Sequence, residues 1–316
     1  MPRKIFAGVH YWMGGLWTTY TPGPDYDKIK AGQMPVQTPA SGHPWDPEKR
    51  PAAGMDPNAS NNMMTNIPGL YAFGECNYQY HGGTRLGANA LLSCIFDGLF
   101  CGRSVANFVA EHADDPASSK PAAIFDNGVD AEEKIQNNLI SSSGDENPYA
   151  IARELGEIMT RECTVVKDRE GLEKTLTKLD ELRDRFSRIS VADSGMFTNQ
   201  NLSWARAVGD MIDLADPIAR GSLEREESRG SHYRTDFLQR NDERFLKTTV
   251  ATYNPSTRKA DISWEDVEHG IVTPRVRDYS KGKAKAANNG SKPDDASNHH
   301  DKSTSNGPTG ATDPKD

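Results

Sequence analysis

The chain has 316 residues, with 37 basic against 45 acidic side chains, a formal charge of −8 and 35% hydrophobic residues. With a mean hydropathy of −0.72, part of it is expected to be loop or disordered, although the length suffices for one large or two ordinary domains. The acidic balance and the lack of a long basic run argue against a nucleic-acid partner. No signal-type stretch opens the sequence, and no uninterrupted apolar run nears the ~20 residues of a membrane span, so any membrane association is expected to come through partners. Cys76, Cys94, Cys101 and Cys163 show no CxxC or zinc-ligand spacing. They read as ordinary thiols of a reducing compartment, with no metal site.

In chain order, "KIFAGVHYWMGGLWTTY", Lys4 to Tyr20, reads as a strand, a glycine turn and a second short strand. From Thr21 to Ser60 the sequence is crowded with Pro and Gly and has no period, which predicts a long surface excursion or insertion. Leu70 to Phe73 are expected to form a short buried strand. After Arg85, apolar residues at Leu91, Leu92, Ile95, Leu99, Val105 and Val109 take helical spacing, with Asn89 placed to cap the helix. Gly98 and Gly102, four apart, would let that helix approach a sheet closely. A strand, a glycine turn and a helix in this order is how dinucleotide folds meet a ligand at a helix N-terminus.

A helical region follows. Asn147-Pro148 reads as a cap with proline in the first turn, ahead of a face of Ile151, Leu155, Ile158 and Met159. Leu172, Leu176, Leu179, Leu182, Phe186 and Ile189 follow one another in steps of three or four, an apolar seam with a charged outer face. A third helix runs through Trp204, Val208, Met211, Ile212 and Ala215, with Pro217 a candidate kink. Three such helices with short connections predict an antiparallel bundle. "ADISWEDVEHGIVTPRVRDY" should add a strand through Ile262, Trp264 and Val267 and an extended arm near Pro274. From Lys281 the chain has no large apolar residue and reads as a disordered tail, His299-His300 included.

The residues that suggest chemistry lie in "GLYAFGECNYQYHGGTRLGANALLS" and "VHYWMGGLW". A guanidinium grips a carboxylate through two parallel hydrogen bonds, and glycines let substrate and backbone approach, so Arg85 is either such a grip or a pin for its turn's carbonyls. His10 either donates to a carboxylate oxygen or is a satisfied core histidine. Glu75, read as the end of the strand just before the turn, where strand ends face ligands in open α/β sheets, either accepts from sugar-type hydroxyls or bonds local amides. His81 is read as a structural member of the turn. The start of the helix at Ala90 and Leu91 would present free N–H groups at the positive end of a helix dipole. No Ser/His/Asp order, metal constellation or G-x-G-x-x-G is present, which leaves hydrolase and metalloenzyme readings without support.

Taken together, "VHYWMGGLW", "NIPGLYAFGECNYQYHGGTRLGANALLS" and "ESRGSHYRTDFLQRNDERFLKTTV" closely resemble, in order, the flavoprotein subunit of succinate dehydrogenase and fumarate reductase. The glycine-turn segment is most similar to the type associated with a di-haem cytochrome b. The resemblance runs from about Pro2 to Tyr279, apart from the Thr21–Ser60 excursion. It implies that His10 and Arg85 hold a dicarboxylate, that Glu75 contacts FAD, and that the backbone at Ala90 and Leu91 meets the flavin ring. Alanine replaces the usual serine at position 90, a change that a backbone contact survives. Family members run about twice this length. The resemblance therefore implies a C-terminal half, without the N-terminal G-x-G-x-x-G segment, the histidine that carries covalent FAD, or the capping domain with its proton-transferring arginine.

The fold class implied is α/β plus all-α: a partial FAD-binding, Rossmann-like domain, then a three-helix bundle and a disordered C-terminal tail. The expected divisions are 1–20 and 61–115 as parts of the FAD and substrate domain, 21–60 as an insertion, 130–246 as the helical domain, 247–280 as a strand and arm, and 281–316 as the tail. The implied activity is succinate oxidation to fumarate, with electrons passed to an iron–sulfur subunit. The alternatives are an inactive remnant that docks on that subunit without flavin, or a relative such as aspartate oxidase. Implied partners are the iron–sulfur subunit, indirectly a di-haem cytochrome b anchor, and the N-terminal half of the flavoprotein, at the cytoplasmic face of the inner membrane.

Overall fold

The computed structural model describes residues 11–33, 54–115, 119–195, 197–269 and 274. The predicted strand start at Lys4, His10, the middle of the excursion and the predicted tail lie outside them.

The excursion is closed at its neck. Gly23 N donates to Gly54 O at 2.6 Å and Asp56 N to Thr21 O at 2.8 Å, so its two ends leave and return side by side. Within it, helix α1 (Tyr26–Lys30) buries Ile29. Lys30 pairs with Glu268 at 2.8 Å, and Trp17 Nε1 donates to Glu265 at 3.0 Å.

Helix α2 (Asn89–Phe96), a π-helical turn (Asp97–Cys101) and helix α3 (Gly102–Glu111) form one run. Its inward face is partly polar: Ser93, Asp97, Cys101 and Ser104 are buried with Phe100. Asp97 accepts from Gly74 N at 2.6 Å and from the Tyr80 hydroxyl, while Ser104 accepts from Asn62 at 3.2 Å. Those bonds satisfy groups that would otherwise be costly to bury. The predicted apolar stripe points outward instead, with Leu91 75% and Leu99 63% exposed. A Cβ at Gly98 or Gly102 would meet nothing within 4 Å, so the expected close approach to a sheet is absent among the described residues. The run Asn89–Glu111 is long and apolar enough to cross a membrane by length and composition. The sequence reading missed this because Ser93, Asp97, Gly98 and Arg103 interrupt the apolar run.

Helix α4 (Ala122–Ile140), which the sequence reading did not anticipate, buries none of its residues. It is tied to the next region by the ion pair of Glu132 with Arg206. Helices α5 (Pro148–Ile158), α6 (Arg169–Phe186) and α7 (Gln200–Glu224) share one apolar core. Each is started by an amide or carboxylate that accepts from the first turn: Asn147 from Tyr149 N at 2.9 Å, Asp168 from Gly171 N at 2.8 Å, Asn199 from Leu202 N at 2.9 Å. Leu172, Leu179 and Leu182 are wholly buried, with Leu176 and Phe186 packed at the edge. Ile189 joins the core from beyond the helix end. Met211 departs from the expected face and is 40% exposed, its neighbour Ile212 taking the inward position. Helix α7 continues through Pro217.

The C-terminal part of the described chain holds a one-turn helix, α8 (Asp242–Phe245), and an antiparallel hairpin of β1 (Lys247–Asn254) and β2 (Lys259–Asp266). The sequence reading found only the second strand, since β1 is rich in threonine and lacks apolar alternation. The hairpin is fixed to α7 by Ala260 N donating to Asp216 at 2.8 Å, and by Arg225, whose guanidinium lies 4.8 Å from the Trp264 ring. It is the only sheet among the described residues. The strand expected at Leu70–Phe73 is instead a single bridge between Tyr71 and Met64, and the strand expected after the first glycine turn is a single bridge at Leu16. Neither segment has a neighbouring strand among the described residues to extend a ladder.

Candidate active site

The site is built where the "YWMGGLW" and "GECNYQYHGGTR" segments meet. Gly74, at φ 66°, turns the chain into a 3-10 turn (Gly74–Cys76), and a Cβ there would lie 2.8 Å from the Cys94 sulfur. Glu75 therefore belongs to a turn and not to a strand end. Its Oε1 accepts from Trp12 N at 2.7 Å. Leu16 N donates to Cys76 O at 2.7 Å. Gly15 allows that approach, because a Cβ on it would come within 2.1 Å of Cys76 O. Buried Asn77 completes the junction: its Oδ1 accepts from Thr18 at 3.2 Å and its Nδ2 donates to Ala72 O at 3.0 Å.

Above this junction, Tyr11 lies between two site candidates. The His81 ring meets it edge-on at 5.1 Å, and the Arg85 guanidinium carbon lies 5.0 Å from its centroid. Stacking on an aromatic face orients a guanidinium without using its N–H groups. One of those groups, Nη1, donates to Leu86 O at 2.9 Å, while buried Nε has no partner, and neither has the buried Tyr11 hydroxyl. Arg85 thus pins its turn with one nitrogen and keeps donor capacity in reserve. Burial, and then the Arg85 charge, lower the His81 pKa below the usual histidine value, so it is held neutral at neutral pH. Its Nε2 is 3.4 Å from Ser93 Oγ, which donates to Ala90 O at 2.8 Å.

Helix α2 starts differently from α5, α6 and α7. Its N-cap is Ala88, in the left-handed region at φ 65°, with no side-chain cap. Asn89, expected to cap, is the first helical residue. Ala90 and Leu91 sit in the uncapped first turn, where N–H groups lack intrahelical acceptors, and the Leu91 side chain is bare.

Of the residues singled out by sequence, Arg85 and His81 come together around Tyr11. Glu75 is joined to them through Trp12, and Ala90 through Ser93. His10 precedes Tyr11 but is outside the described residues. Tyr11 itself was missed, since an aromatic before Trp12 reads as strand filling. No group of three His, Cys, Asp or Glu among the described residues could hold a metal ion. All four cysteines are free, and burial pushes the Cys101 thiol up to about 12 and the Cys163 thiol up to about 11.

Comparison with known proteins places this chain in a family. Residues 152–279 match the family model described as fumarate reductase flavoprotein C-term. The chain is 38% identical over 283 residues to the succinate dehydrogenase flavoprotein subunit of Bacillus subtilis, covering 90% of this chain and 41% of that protein. It is 32% identical over 229 residues to the fumarate reductase flavoprotein subunit of Escherichia coli, covering 72% of this chain and 37% of the relative. A solved chain of E. coli quinol fumarate reductase superposes with a TM-score of 0.60 at 29% identity, over 68% of this chain and 36% of that one. The chain therefore spans about two fifths of the length of these relatives. It belongs to the flavoprotein-subunit family of succinate dehydrogenase and fumarate reductase, and matches the C-terminal half of its relatives.

Proposed function

We propose that this chain supplies the dicarboxylate grip and one wall of the flavin site in an enzyme that interconverts succinate and fumarate. The observation that carries the reading is Arg85: stacked on Tyr11 beside His81, pinned at one nitrogen and unpartnered at Nε, on a turn that runs into an uncapped helix start. In this reading Arg85 and His10 bind the substrate carboxylates and hold the dicarboxylate in one orientation, which is where much of the rate of such a reaction originates. The residues present fit FAD. Glu75 offers a carboxylate to hydroxyls at the exposed turn, the first turn of α2 offers free N–H groups at Ala90 and Leu91, and Leu91 and Leu92 leave an apolar wall open. When bound, FAD supplies the hydride acceptor. In this reading the proton-transferring arginine and the adenosine site are contributed by the part of the flavoprotein that these residues do not match.

The same reading assigns residues 1–20 and 61–115 to the Rossmann-like FAD and substrate domain, 21–60 to an insertion, 130–246 to a helical bundle domain, 247–280 to a small arm and 281–316 to a tail. Electrons pass to an iron–sulfur subunit, with a di-haem cytochrome b anchor behind it, at the cytoplasmic face of the inner membrane. A second reading is an inactive remnant that docks on the iron–sulfur subunit. It is favoured by the absence of any strand beside α2 among the described residues.

Co-expression with a matching N-terminal half tests both. The chain alone is expected to retain no FAD and to reduce no dye with succinate, while the assembled pair does both. Arg85→Ala in the pair should keep flavin and lower kcat/KM by about 10²–10³-fold. Arg85→Lys should lose nearly as much, because an ammonium cannot form the two-pronged grip. Flavin-free assembly with no turnover would establish the remnant.

A further inference from the structure

The third segment of the family resemblance, "ESRGSHYRTD", has no role in the site just described, yet it touches the Arg85 turn directly. Gly83, two residues before Arg85, has its carbonyl held by two donors from the other end of the chain. Ser231 N lies 2.8 Å away and Ser231 Oγ 3.0 Å. The approach is possible only because Gly230 has no side chain. At φ 62°, a Cβ on it would stand 2.1 Å from Gly83 O and 2.4 Å from Gly83 C, inside any tolerable contact with backbone. On the reverse side, a Cβ on Gly83 would meet Arg229 at 3.1 Å and 3.2 Å. Two glycines 147 positions apart in the sequence are thus pressed backbone to backbone.

The seat is rigid. Arg229 N donates to His232 O at 2.8 Å and His232 N to Arg229 O at 3.0 Å, closing the turn that presents Gly230 and Ser231. The Arg229 guanidinium is fastened to Glu227 at 2.7 and 3.0 Å and to Asp242 at 2.7 Å. Glu227 is completely buried and also accepts from Arg225 at 2.8 Å and Asn241 N at 2.8 Å. A buried carboxylate with this many donors has one geometry, and it passes that geometry to the turn.

We propose that the Arg229–His232 turn is a positioning element for the Arg85 turn, with Gly230 and Ser231 as its contact residues, so that the C-terminal region sets where the guanidinium stands. Its relevance to substrate rests on the reading of Arg85 as the dicarboxylate grip. Neither Gly230 nor Ser231 touches the reacting groups in this account.

The test uses the full chain with Gly230→Ala, Ser231→Ala and Ser231→Thr. It reads amide hydrogen exchange over residues 78–88 and the Arg85 Nε–H and His81 ring resonances, with fumarate as the probe of binding. Ser231→Ala, which keeps the N–H bond, should raise exchange in that stretch by about threefold to tenfold. Ser231→Thr should restore it. Gly230→Ala should raise it further and move both resonances, while exchange in α5, α6 and α7 stays at the wild-type level. Unchanged exchange and resonances in Gly230→Ala would overturn the proposal, and so would an equal rise in the three helices, which marks a general loss of structure. If the variants behave as expected but fumarate leaves Arg85 unmoved in the wild-type chain assembled with a matching N-terminal half, the positioning role stands and the dicarboxylate reading falls.

Discussion

Helix α6 and the run from Asn89 to Glu111 carry apolar residues at the same helical spacing and use them in opposite ways. In α6 the stripe faces inward: Leu172, Leu179 and Leu182 are wholly buried against α5 and α7. In the other run the stripe is bare, with Leu91, Leu92, Ile95 and Leu99 each more than half exposed, while Ser93, Asp97 and Ser104 are buried. The difference shows that a hydrophobic period specifies a face that is stabilised by being covered, and says nothing of what covers it. The α5–α7 core finds its cover within the chain. The other face, with each leucine worth about 1.5–3 kcal/mol on full burial, does not find it among the described residues.

The comparison is broken most sharply at Arg234. Its buried guanidinium grips Asp236 at 2.6 and 2.8 Å and donates to Ser222 O at 2.8 Å and Leu223 O at 3.0 Å, closing the C-terminus of α7. Arg234→Ala would leave those carbonyls and a carboxylate without their partner, a loss expected to cost about 3–5 kcal/mol in urea melts. Leu179→Ala opens a cavity in the same core and should cost about 2–5 kcal/mol. If either costs under 1 kcal/mol, the helical region is not the self-sufficient half of the pair.

A smaller effect is a pH dependence that arises within the same half. His232 donates from Nε2 to Arg225 O at 3.0 Å, and burial lowers its pKa to about 4. Because the folded value lies below the unfolded value of about 6.5, the unfolded chain binds the proton first. The contribution is complete above about pH 6.5 and is lost as pH falls toward 4. Urea melts across this window should show stability falling with acid, and His232→Gln should flatten the slope. Titration of His232 near 6.5 in the folded chain, read by NMR, would contradict it.

Much of the helical region was legible in the sequence because its signals are local. Asn147-Pro148 caps α5, and the Leu172–Phe186 seam places α6 without knowledge of anything distant. The candidate site was legible in residue type but not in arrangement. Arg85 and His81 stand out among glycines, yet Tyr11, which gathers them, and Gly230, which seats Gly83, are set by contacts across 70 and 147 positions. The expected strands failed for a related reason: a strand exists only with a neighbour, and Leu70–Phe73 has none among the described residues. Asn89 shows the limit of capping rules, because a left-handed Ala88 starts α2 one residue earlier and leaves its first turn uncapped.

The smallest change in stability is expected on the bare face, and it discriminates best between the two halves. Leu91 is 75% exposed, so Leu91→Glu removes little packing and should alter the unfolding free energy by no more than about 0.5 kcal/mol. Binding of a hydrophobic dye, and any self-association of the chain, should nonetheless fall, because the substitution breaks a contiguous apolar patch that also holds Leu92, Ile95 and Leu99. Ser93→Leu, on the buried side of the same helix, should do the reverse: it must displace a hydroxyl bonded to Ala90 O and crowd His81, and should destabilise by about 1–3 kcal/mol. A polar substitution tolerated where an apolar one is not would establish that this helix is turned outward. If Leu91→Glu instead costs as much as Leu179→Ala, the face is already covered in the isolated chain, and the contrast between the two helices disappears.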